Sequence, residues 1–232
     1  GIVPFDTIDA FDESWRPVVD RSLRHWISCG MGLWSGWCVS WASQLHARIG
    51  NGEGAELLLE LWKCLFTNEG RGSMHDTVMN GVTLMGAPPL VEGGTSAASA
   101  NESGVAESTK GSTAGGILAQ AERMQTDGAM GGVAAVQEML LHTRRGLLCV
   151  FPALPAAWDR ASFERMRAPG GLEVSGWFDR AKGWRIEVRA TRDTEVRVLP
   201  PDGAYRWSRS AAGAAEARAR GRAGDGSGVL AR

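Results

Sequence analysis

Apolar residues recur at helical spacing through the first part of the chain and at alternate positions through its last part. From Glu13 to Trp26, the residues Trp15, Val18, Val19, Ser22 and Trp26 fall near one helical face, with Pro17 tolerated in the first turn and Asp12 in an N-cap position. The run SCGMGLWSG then breaks regularity with its glycines. A second helix is predicted from Trp34 or Ser35 to Ile49, carrying Trp34, Trp37, Cys38, Trp41, Leu45 and Ile49 on one stripe. Gly50-Asn51-Gly52 ends it with residues that accept positive φ, and Glu53 to Phe66 reads as a third helix. The short turn between them predicts an antiparallel helical hairpin. A fourth helix is predicted over about Gly131 to His142.

Between the third and fourth helices the period weakens. Residues 67–94 read as loop, 93–116 as a low-complexity insertion, and Ile117 to Met124 as an approach to the fourth helix. Beyond His142 the period becomes two. Leu147 to Phe151, Phe163 to Ala168, Leu172 to Asp179, Trp184 to Ala190 and Glu195 to Leu199 read as antiparallel strands, separated by Gly, Pro and Asp. Arg185 to Arg189 and Glu195 to Val198 alternate strictly, so each is expected to have one buried and one wet face. The fold class is therefore mixed, mainly α with a C-terminal β unit. Helical hairpins feeding such a unit suggest a helical toroid with an appended sandwich. The expected division is 1–145 helical, 146–205 β and 206–232 a disordered tail.

Composition adds three constraints. The net charge of −1 gives no general attraction to nucleic acid or anionic membrane, although six arginines follow Tyr205. No apolar span of membrane length is present, and the four scattered cysteines form no C-x-x-C pair, so neither a membrane partner nor a metal site is expected. Ten tryptophans stand against six phenylalanines and one tyrosine. Indole faces can stack on sugar rings, but most of these are expected to be core.

The candidate chemistry centres on Gln125-Thr126-Asp127-Gly128-Ala129-Met130-Gly131-Gly132. Asp127 is either an N-cap for the helix behind it or a carboxylate facing a cleft. Glu138 reads as a residue of the solvated helix face. His142 reads as a cation suited to the last helical turn.

Three stretches carry a resemblance: LWSGWCVSWASQLHARIGNGEGAELLLELW (33–62), QTDGAMGGVAAVQEML (125–140) and LLCVFPALPAAW (147–158). In order and character, together with the following APGGLEVSGWFD, they resemble the C-terminal part of glycoside hydrolase family 95, the inverting α-L-fucosidases. The resemblance implies a partial (α/α)6 barrel with a C-terminal β domain. It implies cleavage of terminal α-L-fucosyl residues of glycans, or related α-L-galactosyl residues, with no metal or organic cofactor. Asp127, after Gln125-Thr126, matches the aspartate that helps activate water in a Gln-Ile-Asp-Gly-Asn setting. An inverting site needs an acid and a base roughly 6.5–9.5 Å apart with water between base and sugar.

The chain departs from that pattern at Ala121 to Met124, where a His-Pro-Pro-Phe run is usual, and at Ala129 and Met130, where Asn and Phe are usual. The resemblance places the acid glutamate, the asparagines and an Arg-His pair in segments before Gly1. The chain is then the C-terminal portion of an enzyme whose partner is the missing N-terminal part. Trp34 and Trp37, at an aromatic position of the family, are candidates for the sugar pocket along with Gln125, against the reading that the two tryptophans are core. His75 and Asp76 match an acidic position ahead of the catalytic aspartate, against the reading that they are loop. The alternative function is a non-catalytic remnant that binds carbohydrate or has no activity of its own.

Overall fold

The computed structural model describes residues 1–31, 34–68, 70–75, 124–192 and 194–201, and the backbone of 206–210, 216–221 and 230–231. The expected insertion at 93–116 lies outside the described residues. Four helices and two small sheets make a mixed α/β architecture. No described helix is long and apolar enough to cross a membrane.

Helix α1 (Arg16–Ser28) begins three residues later than the pattern predicts. Asp12 accepts from Ser14 N–H at 2.9 Å and from the Ser14 hydroxyl, so its carboxylate closes a turn ahead of the helix instead of capping it. Only Val19 of α1 is buried, and the helix is held mainly by Trp26, stacked on Trp34 with ring centroids 4.4 Å apart.

Helix α2 (Gly36–Arg48) buries a different face from the tryptophan stripe. Its buried residues are small or polar: Val39, Ser40, Ala42, Ser43, Gln44 and Ala47 among them. The reason lies in α4 (Thr126–Leu140), which starts five residues earlier than the pattern predicts and presents Gly128, Gly131 and Gly132 inward. A Cβ on Gly131 would run into the Ser40 hydroxyl, and one on Gly132 would stand 3.2 Å from the Trp62 ring. Without those side chains the two backbones approach closely, and Gln44 Nε2 donates to the Gly131 carbonyl at 3.1 Å. Buried amides seldom lack such a partner.

Helix α3 (Gly52–Leu65) follows the expected turn, with Gly50 at φ +78° and the Asn51 side chain capping Gly54 N–H at 3.0 Å. Ser43 ties it to α2 by donating to the Ala55 carbonyl at 2.7 Å. Beyond α3, bridges Thr67 to Ser73 and Met74 to Met124 carry the chain to the start of α4.

The end of α4 runs directly into β1 (Leu141–Arg144), which pairs with β2 (Leu147–Val150). Then come β3 (Arg160–Ala168), β4 (Leu172–Asp179), β5 (Gly183–Ala190), β6 (Thr194–Leu199), β7 (Arg206–Ser210), β8 (Glu216–Gly221) and β9 (Leu230–Ala231). One sheet has the order β1-β2-β6-β7 and the other β3-β4-β5-β8-β9. All pairs are antiparallel except β2 with β6, so the expectation of a purely antiparallel unit needs that correction. Their facing sides meet in one apolar core of Leu148, Val150, Phe163, Val174, Ile186 and Val198. The alternation expected in β5 and β6 holds: Trp184, Ile186 and Val188 are buried, as are Val196 and Val198.

The tail expected to be disordered supplies the backbone of β7, β8 and β9. Its EARARG run alternates in residue type, which is strand periodicity beneath a low-complexity composition, whereas RWSRS does not.

Helices and sheets share a seam. Ala47, Ala55, Met139 and Ala153 are buried together there, with Trp158 against them. Glu53 accepts from Ala156 N–H at 2.9 Å, a bond that holds its carboxyl below the ordinary range. Glu56 accepts from Trp158 Nε1 at 2.6 Å.

Candidate functional site

The first turns of α2 and α4 meet at one place, joined by Gln125. Its Oε1 accepts from Trp37 N–H at 2.7 Å, satisfying an amide that α2 leaves free at its N-terminus. Its Nε2 faces Ser35 Oγ at 3.5 Å, and its own N–H donates to the Ser73 carbonyl at 2.8 Å. Gln125, 88 residues from Trp37, thus acts as a cap in trans for a neighbouring helix. A Cβ on Gly128 would lie 2.8 Å from Ser73 Oγ and 3.4 Å from Trp37 N, so only glycine lets α4 enter this junction unhindered.

Asp127 is the second residue of α4 and is exposed. It is not the N-cap, a position that belongs to Gln125. Among the described residues its only hydrogen bond comes from Gly128 N–H to Oδ1 at 3.0 Å, leaving the rest of the carboxylate open to solvent. The helix terminus favours negative charge there. Behind it, the outward face of α4 carries Met130 and Val133, 67% and 64% exposed, and Val136. Asp127 therefore heads an uncovered apolar stripe.

No protein-family model matches the chain, and no curated protein does.

The other expected site residues fall in three places. Trp34 is buried, stacked on Trp26 and packed with Val39 and Phe66, so its ring belongs to the core. Trp37 is part-exposed, with its six-membered ring 3.2 Å from where a Cβ on Gly131 would stand, and so lies at the junction beside α4. The His75 carbonyl lies at the same junction, accepting from Gly36 N–H at 3.1 Å. Asp76 lies outside the described residues. The structure thus joins Gln125 to Trp37, leaves Asp127 in the first turn of α4 next to that junction, and takes Trp34 away. No group of three or more potential metal-ligating side chains occurs among the described residues.

Sequence reasoning missed a second polar cluster, at the seam. Arg48 donates to Asp6 Oδ1 at 3.1 Å, to the Thr143 carbonyl at 3.0 Å and to Glu138 Oε1 at 2.9 Å. Glu138 is therefore an inward-facing partner of Arg48 rather than a residue of a solvated face. Burial pushes its carboxyl above the ordinary range, while the guanidinium pulls it back.

His142 is buried in β1, with Nδ1 3.0 Å from the Glu138 carbonyl. Burial, aided by the charge of Arg48, lowers it to about 4, so it is neutral at pH 7 and does not serve as a helix-terminal cation. The i,i+4 spacing of Glu138 and His142 was the available signal; Arg48 and Asp6 are too distant in sequence for any local pattern to find. Arg144 extends the cluster, donating to Asp9 Oδ1 at 3.0 Å while its guanidinium lies 4.1 Å from the Phe11 ring centroid.

Proposed function

We propose that the chain is the C-terminal portion of a glycoside hydrolase resembling the inverting α-L-fucosidases, in which Asp127 helps to activate the attacking water. The observation that supports this reading is the setting of Asp127. Its carboxylate is exposed and nearly unpartnered, yet it stands on a helix fixed from behind by Gly128, Gly131 and Gly132. A base must be open to its water and rigidly held, and this position meets both requirements.

The uncovered stripe of Met130, Val133 and Val136 supports the larger architecture. In an (α/α)6 barrel this face would be covered by further helices, and one of those would bring the acid glutamate. In this reading Trp37 and Gln125 contribute to substrate binding, although Gln125 already uses both ends of its amide within the junction. The substrate is a terminal α-L-fucosyl unit or its α-L-galactosyl counterpart, since a pocket rejects one added hydroxyl only modestly.

A second reading is a non-catalytic remnant, in which Asp127 only closes the first turn of α4 through the Gly128 N–H. The two readings separate by experiment. The native protein from its source, given an α-L-fucoside, should release the β-anomer first in proton NMR, while the 232-residue chain alone releases none. First release of the α-anomer would rule out inversion. Absence of turnover by the native protein would leave the remnant.

A further inference from the structure

A depression of about 470 Å³ opens at the end of the β4–β5 hairpin, lined from the outer face of the five-stranded sheet and, through Ala161, Phe178 and Trp184, from its core side. Backbone register builds it. Ser162, Trp177 and Arg185 form one row across β3, β4 and β5, and Arg160, Asp179 and Gly183 form the next. Gly183, at φ +103°, contributes no side chain, so the second row stays open where the first is filled.

Three cations, Arg160, Lys182 and Arg185, and one carboxylate, Asp179, line this opening. Arg185 lies with its guanidinium 3.8 Å from the Trp177 ring centroid. Its Nε is buried without a hydrogen bond, and its nearest ion partner, Glu187 Oε1, is 3.8 Å away. Lys182 reaches Asp179 Oδ2 only at 3.9 Å and is 84% exposed. Asp179 Oδ1 accepts from the N–H groups of Ala181 and Lys182, each at 3.0 Å, so that part of its carboxylate serves the turn. Arg160 is exposed and has no ion pair among the described residues. Further along the face Arg165 and Arg167 share the single carboxylate of Glu173, at 3.5 and 3.0 Å. The lining of the depression itself carries a net positive charge, with Arg160, Lys182 and Arg185 against Asp179.

We propose that this depression binds an anionic sugar unit of a polysaccharide, one bearing a carboxylate or sulfate. A neutral sugar is recognised by mixed donors and acceptors directed at its hydroxyls, whereas three cations against one carboxylate favour a ligand that brings negative charge and acceptors of its own. Trp177 is half-buried beside these cations, and its indole offers an apolar face for the C–H side of a pyranose ring. One such tryptophan does not give the run of stacking platforms that single-stranded nucleic acid uses. The site lies in the β unit and does not depend on the reading of Asp127. Binding here without any fucoside turnover would defeat that reading and leave this one intact.

The test is calorimetric titration of the protein with tetragalacturonate and with a chondroitin sulfate tetrasaccharide, using cellotetraose, inorganic sulfate and a dT10 oligonucleotide as comparisons. At least one acidic tetrasaccharide should bind, cellotetraose should not, and affinity should fall as salt rises. Arg160→Glu and Lys182→Glu, both at exposed positions, should each weaken binding by roughly tenfold or more, and Trp177→Ala should do the same. The two charge reversals keep the test valid if the tryptophan variant folds poorly. No binding of either acidic tetrasaccharide, binding unchanged by both charge reversals, or equal affinity for cellotetraose, sulfate or dT10 would each overturn the proposal.

Discussion

Helix α4 meets α2 through Gly128 and Gly131, whereas β5 faces the opposite sheet through Trp184, Ile186 and Val188, and the two interfaces should respond to substitution in opposite senses. Between the helices the backbones are already in contact, so any added atom must displace something. Between the sheets large side chains fill the space, so any removed atom leaves a void. The helical part also turns Met130, Val133 and Leu57 outward, while the facing sides of the sheets are closed over a continuous core. Small residues inward and large apolar residues outward is the arrangement expected of a helical layer that has another layer still to meet.

The largest expected effect lies where the two regions join. Arg48→Met leaves Glu138 and Asp6 without their cation at a largely buried position and should cost about 3–5 kcal/mol. Urea unfolding would also show whether the regions are coupled: one transition in the wild type and two in the variant means that Arg48 links them. Next, Ile186→Ala should cost about 2–5 kcal/mol, and Val133→Ala, on the exposed stripe, less than about 0.5 kcal/mol. Equal costs would show that the stripe is covered in solution.

A pH titration probes the seam alone. Because the folded protein holds His142 at about 4 against an ordinary value near 6.5, its contribution is complete above about 6.5 and is lost as pH falls towards 4. Up to roughly 3 kcal/mol disappears over that window. Glu138, whose carboxyl is raised, acts in the opposite sense and offsets part of the loss as it protonates. Thermal melts of wild type and His142→Phe at pH 7 and 4.5 should therefore converge or cross as the pH falls; parallel curves would place the histidine in water.

A smaller effect than at the seam or the sheet core is expected at the glycine interface. Gly131→Ala puts a Cβ against the Ser40 hydroxyl, with Ser40 Cβ and the Trp37 ring at 3.2 Å, and should destabilise by about 1–3 kcal/mol despite the higher helix propensity of alanine. A stabilised variant would mean that the helices are further apart than described.

These contrasts also explain what the sequence made legible. Strands β5 and β6 were readable because each has a wetter and a drier face, and alternation records that directly. The helix hairpin was readable from Gly50 and Asn51, whose conformation and cap are local. The buried face of α2 was not, because ranking positions by side-chain size favours Trp37 and Trp41 over Ser40 and Ser43, while a close helix crossing selects the small ones. The start of α4 was misplaced for the same reason: its glycines look like loop and act as interface.

At the candidate site, Asp127 could be singled out from its neighbours in sequence. The role of Gln125 could not, since its partner Trp37 lies 88 residues away. Trp34 and Trp37 differ by three positions, yet one is core and the other reaches the surface, a distinction set by Trp26 stacking on the first.

The measurement that bears most directly on this account is the turnover of an aryl α-L-fucoside by the native protein and by its Asp127→Asn variant, with substrate affinity measured in parallel. If Asp127 activates water, kcat falls by about 10²–10⁴ while affinity stays within a few-fold, because asparagine keeps the shape and loses the base. Turnover by the variant at near wild-type rate would contradict the account and leave Asp127 as a solvated residue in the first turn of α4.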